Sequence, residues 1–209
     1  MDPKVFELIL FELDDKTIKS LRVTGFDFRE GIEYIEKDNR YWFEKLNKLL
    51  GFKLSKVPRN SREKYEKLSK LDKITPQEVI RLDYADILEG FIENGWNPAE
   101  NDNYAIRFAS RFGHSKVVKL LLKDPRVDPR VSNNLAIRLA SEDGHAGVIK
   151  LLLEDPRVDP SADDNEAILL ASVNGHSKAM KLLLKDKRVR KNLSEEEIEM
   201  YEKDAAMIF

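Results

Sequence analysis

The chain has 209 residues, enough for one elongated domain and one small one, and 35% of them are charged, with both signs mixed to a formal net charge of -2. That balance gives no global pull toward nucleic acid or membrane. The absence of cysteine excludes disulfides and thiolate metal sites, no apolar run approaches the roughly 18 residues of a spanning helix, and no basic segment precedes the apolar N-terminal stretch, so a protein of the cytoplasm is expected.

In chain order, Val5, Phe6, Ile9, Leu10 and Leu13 fall on one helical face, Asp14 and Asp15 stop that helix, and Ile18 and Leu21 belong to a second. After Gly25 a third segment over about 28–35 leads through Asp38 and Trp42 to a last helix with Leu46, Leu49 and Leu50. Residues 1–56 therefore read as a compact helical module near the lower size limit for independent folding. Its Ile9-Leu10-x-x-Leu13-Asp14 core and its Asp38-x-x-Tyr41-Trp42-x-x-Leu46 end resemble an F-box motif, although Pro3 stands one residue closer to Leu13 than in that family and Thr24 to Phe28 replace its basic middle segment. The resemblance implies that Phe6, Ile9, Leu10, Leu13 and Ile18 bind a Skp1-type ubiquitin-ligase adaptor. The alternative is a cap that covers the apolar end of the C-terminal module.

Between Lys45 and Lys73, lysine and arginine outnumber acids, and Val57-Pro58-Arg59-Asn60-Ser61 interrupts the helix pattern, so residues 57–74 read as a basic linker or helix with a solvated face rather than a nucleic-acid site. Thr75-Pro76-Gln77-Glu78 has the features of a capping box with proline at the first helical position, and opens a helical stretch expected to run from Pro76 to Asn94.

From Asn103 one pattern is written three times at an interval of 31 residues, with copies starting at Asn103, Asn134 and Asn165. Each copy reads as a short helix with an Ala-Ile-x-Phe/Leu-Ala face, a turn at Gly113, Gly144 or Gly175 that calls for positive φ, and a second helix in VVKLLL, VIKLLL or AMKLLL. Trp96-Asn97-Pro98 aligns with Val127-Asp128-Pro129, and Ala85 to Glu93 with Lys116 to Asp124, which places a divergent first copy over about 75–98. A helix pair of this size cannot bury its own apolar face, so the units must stack into a solenoid with one shared core.

The Ala-Ser-x-x-Gly-His segments followed by Val-Val-Lys-Leu-Leu-Leu resemble the ankyrin repeat family, with Val-Asp-Pro at Val127 and Val158 standing where that family leads into a β-hairpin tip. Its Thr-Pro-Leu-His is replaced by Tyr104-Ala-Ile-Arg107, Leu135-Ala-Ile-Arg138 and Glu166-Ala-Ile-Leu169. The resemblance implies an all-α solenoid over 75–190 that binds a client protein. An F-box-like segment ahead of ankyrin repeats is similar to an architecture of large DNA viruses of protists, for which the compartment would be the host cytoplasm. Residues 191–209, with a Ser194 cap and acidic Glu195, Glu196 and Glu197, read as a C-terminal capping helix.

No phosphate-cradling glycine loop, nucleophile elbow or zinc-protease helix occurs, so no enzyme activity, cofactor or metal is expected. His114, His145 and His176 hold equivalent places in successive copies, about 8–10 Å apart once stacked, too far to share a metal and suited to bonding the turn. Client contacts are expected on the inner-helix positions that stacking leaves free, Arg107, Arg111, Arg138, Glu142 and Val173, and near the tips at Glu100, Asp102, Arg130, Ser132, Asp163 and Asp164.

Overall fold

The structure, a computed structural model, describes residues 39–206, which divide after Ile74 into two compact units. All secondary structure among the described residues is helical.

In the first unit, α1 (Asn39–Leu50) packs against α2 (Ser61–Leu68). Trp42, Phe43 and Leu46 of α1 are buried with Leu54 and Leu68, and the Trp42 and Tyr65 rings lie 5.4 Å apart. Asn47 Oδ1 accepts the Leu54 N–H at 2.9 Å, which ties the chain leaving α1 back onto it. The surface of α2 is laced by Arg62–Glu66 and Glu63–Lys67 pairs at helical spacing, so the basic stretch expected as linker or helix contains a formed helix.

The second unit opens with α3 (Pro76–Arg81) and α4 (Ala85–Glu93). Thr75 Oγ1 accepts the Glu78 N–H, and Pro76 fills the first turn as its sequence predicts. The single stretch expected from Pro76 to Asn94 is broken, because Asp83 takes φ 56° and turns the chain into α4. Asp83 and Tyr84 thus hold the places of Gly113 and His114, one residue off the 31-residue alignment. The register returns at the end of α4. There Gly95, at φ 96°, closes the helix with the N–H of Trp96 on the Phe91 carbonyl, a Schellman turn one residue shorter than the Asp-Pro-Arg used later.

Three inner–outer helix pairs follow: α5 (Glu100–Arg111) with α6 (Ser115–Leu121), α7 (Val131–Glu142) with α8 (Ala146–Glu154), and α9 (Ala162–Val173) with α10 (Ser177–Leu184). Inner helix packs on inner helix and outer on outer. Ala105, Ile106 and Ala109, with their equivalents Ala136, Ile137, Ala140 and Ala167, Ile168, Ala171, are all buried, as are Leu121, Leu152 and Leu183 of the outer helices. The small alanines let neighbouring helix backbones approach while isoleucine and leucine fill the space between them.

Where the sequence suggested hairpin tips, each inner helix instead begins with three residues in the left-handed region: Asn101-Asp102-Asn103, Ser132-Asn133-Asn134 and Asp163-Asp164-Asn165, all with φ between 51° and 62°. Left-handed residues cost about 1–2 kcal/mol each for most side chains, and asparagine and aspartate bear this best. The sequence supplies eight such residues and one serine at these nine positions.

A short α11 (Lys187–Arg190) then leads to α12 (Glu195–Ala206), which packs on α10 and touches α9. Ser194 Oγ accepts the Glu197 N–H and the Glu197 carboxylate accepts the Ser194 N–H, a complete capping box. Tyr201 and Ala205 are buried beneath the helix, which is the expected cap.

Candidate protein-binding surface

The residues that recur in every copy sort into those that staple one repeat to the next and those left outside. The Asp128 N–H donates to Asn103 Oδ1 and the Asp159 N–H to Asn134 Oδ1, both at 2.8 Å, so the last residue of each left-handed turn receives a bond from the chain 25 residues on. His145 Nε2 donates to the Arg111 carbonyl at 2.8 Å and His176 Nε2 to the Glu142 carbonyl at 2.9 Å, which fixes the proton on Nε2. The histidines therefore bind the previous repeat's inner-helix end, not their own turn. Burial lowers the pKa of His114, against a weaker opposing pull from Asp83.

The glycine turns serve the same joint. A methyl on Gly113 would lie 2.6 Å from His145 Nδ1, and one on Gly144 would lie 2.5 Å from His176 Nδ1, so the ring needs the bare Cα as much as the turn needs φ near 70°.

A third staple escaped the sequence reading. Arg157 holds Asp155 with two nitrogens and reaches the Val127 and Leu122 carbonyls at 2.8 and 3.1 Å; Arg188 repeats this with Asp186, Val158 and Leu153. The arginine hydrogen bond lowers the pKa of each aspartate against the burial that would raise it. The signal was Asp-x-Arg in all three copies, retained at Asp186 and Arg188 even where lysine replaces the proline between them.

The expected client contacts fall into different environments. Arg107 donates to the Asp102 and Asn101 carbonyls at 3.0 and 3.1 Å and so braces the left-handed turn of its own repeat. Arg138 points its guanidinium at the Ser132 and Asn133 carbonyls and forms ion pairs with Asp163, at 2.7 Å, and Glu166 in the next repeat. Arg130 is exposed and holds Asp128 two residues before it. Arg111 is exposed, with Asp143 3.8 Å away across the repeat boundary. Glu142 is half-buried, Glu100, Asp102, Ser132 and Asp164 are exposed within the first turns of the inner helices, and Val173 is 76% exposed. The adaptor contacts expected at Phe6, Ile9, Leu10, Leu13 and Ile18 lie outside the described residues.

The inner-helix face carries large apolar side chains that were not expected as client contacts, Val173 apart, and Phe108, expected in the packed face, is only half-buried. Tyr104, Phe108 and Phe112 line one side of α5 with ring centroids 5.4 and 4.5 Å apart, and Tyr104 and Phe112 are exposed. At the other end of the same face Leu169, in the place of Arg107 and Arg138, is exposed beside Val173. Apolar ends thus flank a middle repeat whose equivalent positions carry Arg138, Glu142 and Asp143. The aromatic spacing i, i+4, i+8 and its loss to Asp143 and Asn174 one and two periods later were both visible in the sequence.

Among the described residues no three His, Cys, Asp or Glu come together as a metal site would require, and no helix is long and apolar enough to cross a membrane. Comparison with known families matches residues 104–195 to ankyrin repeats in three copies, whereas no curated protein and no solved structure matches the chain. The solenoid of α5 to α10 is therefore built of ankyrin repeats, a protein-binding architecture.

Proposed function

We propose that the protein is a non-enzymatic adapter whose ankyrin repeats hold a client protein on the inner-helix face and whose N-terminal F-box-like module recruits a Skp1-type ubiquitin-ligase adaptor. The client half rests on one observation. Stacking consumes the Ala-Ile-Ala side of each inner helix, yet Tyr104, Phe112, Leu169 and Val173 stay exposed on the other side, where large apolar groups have no folding role that would hold them in water. Aromatic anchors beside an exposed arginine, Arg111, are what a protein interface concentrates at its centre.

The adaptor half is supported by the likeness of residues 1–56 to an F-box. A chain without cysteine that pairs these two modules fits work in the cytoplasm.

Two separate experiments test the halves. Proximity labelling in cells expressing the wild type and a Tyr104→Ala, Phe112→Ala, Arg111→Glu variant should identify a client that the folded variant loses; equal labelling by both would move the site off this face. A pull-down with purified Skp1-type adaptor should retain the full chain and lose it on Ile9→Glu with Leu10→Glu. Failure of the wild type to bind would leave an ankyrin scaffold with no ubiquitin link.

A further inference from the structure

The client-binding face carries a charge order that stacking does not use. Three inner-helix positions recur along it at the 31-residue interval: Arg107, Arg138 and Leu169; Arg111, Glu142 and Val173; Phe112, Asp143 and Asn174. The first row is engaged within the chain, since Arg107 donates to the Asn101 and Asp102 carbonyls and Arg138 holds Asp163 and Glu166. The second row is not. Arg111 is exposed, and its one ionic contact among the described residues is Asp143 at 3.8 Å, too long for a hydrogen bond. The half-buried Glu142 forms no side-chain hydrogen bond or ion pair among the described residues; only its carbonyl is taken, by His176.

From α5 to α9 this row runs cation, anion, apolar, with the Phe112 ring beside the cation and Leu169 beside the apolar end. A uniformly charged ligand does not match it, because the phosphates of a nucleic acid that met Arg111 would also meet Glu142 and Asp143. A protein segment can alternate. Neighbouring inner helices pack about 8–10 Å apart, and that step selects the conformation of the segment. Side chains on one face of an extended chain recur at about 7 Å and then at about 13 Å, which miss the step on either side. Positions about two turns apart on an α-helix share a face at about 10.5 Å, which is close to it.

We propose, on the client-binding reading above, that the client contact is an amphipathic helix laid across α5, α7 and α9. Its first third carries a carboxylate for Arg111 next to an apolar residue for Phe112, its middle a lysine or arginine for Glu142 and Asp143, and its last third an aliphatic residue for Leu169 and Val173. A helix bears acidic residues best near its N-terminus and basic ones nearer its C-terminus, so the N-terminal end lies over α5. Exposed ion pairs add little affinity, whereas like charges set face to face are strongly unfavourable. The order therefore selects among apolar helices more than it holds them.

Selection of a phage-displayed library of about 18-residue peptides on the full chain supplies the probes. A fluorescein-labelled synthetic copy of the strongest binder is then read by anisotropy at about 150 mM salt. The binders should share an acidic residue, a basic one about two turns later and an aliphatic one about two turns beyond that. Arg111→Glu should weaken binding at least about tenfold, and a peptide whose acidic residue becomes lysine should recover most of that loss on this variant alone. Glu142→Lys should behave in the same way toward a peptide whose basic residue becomes glutamate. Lys119→Glu, the same change of charge at an exposed position of the outer helix α6, should alter binding by no more than about twofold. Binders that are lost on Phe112→Ala but lack the charge order, or show no recovery in the exchanged pairs, would overturn the proposal and leave the client face standing. Binders indifferent to Phe112→Ala would remove both. A library that yields no binder would overturn the helix and leave the face to the proximity labelling.

Discussion

The joints between consecutive repeats and the joint between the last repeat and α12 begin from the same residues and end differently. Between α5 and α7, and again between α7 and α9, an asparagine at the left-handed turn, a histidine over a glycine and an arginine behind an aspartate each reach a partner 25 to 35 residues away. At the last joint Asn165 is present and buried but its Oδ1 has no hydrogen-bond partner, and Gly175 has nothing within 4 Å of where its Cβ would be. Contact there runs instead through Ser172 Oγ with Asp204 at 3.1 Å, an exposed Arg190–Glu202 pair at 3.0 Å, and the apolar faces of Tyr201 and Ala205. A repeated residue is thus an offer of a bond. Whether the bond forms depends on a neighbour that the same repeat does not contain.

The largest expected effect is in the shared core. Leu121, Leu152 and Leu183 are all fully buried, so each change to alanine should cost in the range of about 2–5 kcal/mol in urea unfolding. Leu152→Ala lies between two repeats and should sit at the top of that range, whereas Leu183→Ala faces α12, which can shift to relieve the cavity. Equal losses at all three would show that α12 packs as rigidly as a repeat.

The glycines separate turn strain from packing. Gly175→Ala should cost only the left-handed strain, about 1–2 kcal/mol. Gly144→Ala carries the same strain and also drives a methyl into the His176 ring, so it should cost more and break the bond from His176 to the Glu142 carbonyl. In the background of His176→Ala the excess should vanish, since the ring is then gone. Persistence of the excess would place the cost in the backbone and not in the joint.

What could be read beforehand was whatever a short window encodes. The positive φ at the glycines, the Thr75–Pro76 start and the Ser194–Glu197 box depend on residues within a few positions of one another, and the structure holds all of them. What could not be read depends on register between repeats. Arg157 drew no reading of its own, because its carbonyl partners are 30 and 35 positions back. Asp163 and Asp164 resembled a hairpin tip because runs of aspartate and asparagine favour turns without specifying which kind, and here they open a helix left-handed. Of the proposed binding face, Arg111 and Val173 were singled out and are exposed, whereas Tyr104 and Phe112, also exposed, were not expected there.

A smaller effect distinguishes the asparagine rungs. Asn134→Ala leaves the Asp159 N–H without its acceptor and should cost about 1–3 kcal/mol. Asn165→Ala removes an oxygen that has no partner and should cost clearly less, although the side chain is the more buried of the two. The pair can be compared by chemical denaturation of otherwise identical proteins. A loss at Asn165 as large as at Asn134 would mean that its oxygen is satisfied in solution.

The smallest expected effect is a dependence on pH that also differs along the solenoid. Asp155 and Asp186 have folded pKa values below the ordinary carboxylate range because Arg157 and Arg188 bond the charged form. The unfolded chain therefore takes up protons first on acidification, so the stability these pairs contribute is fully present above about pH 4 and is lost as pH falls through the lower folded values. His114 behaves with the same sign in a higher window. Burial keeps its imidazole neutral below the usual range, so the unfolded chain binds the proton near pH 6.5, and stability held above that pH declines as it falls through the folded value. Denaturation midpoints measured from pH 7.5 to 3 should accordingly fall in two steps. His114→Gln should flatten the upper step, and Asp155→Asn with Asp186→Asn the lower one. A histidine variant that keeps the upper step would assign it to another group, and an aspartate variant that keeps the lower one would show that these pairs carry little of the coupling between repeats.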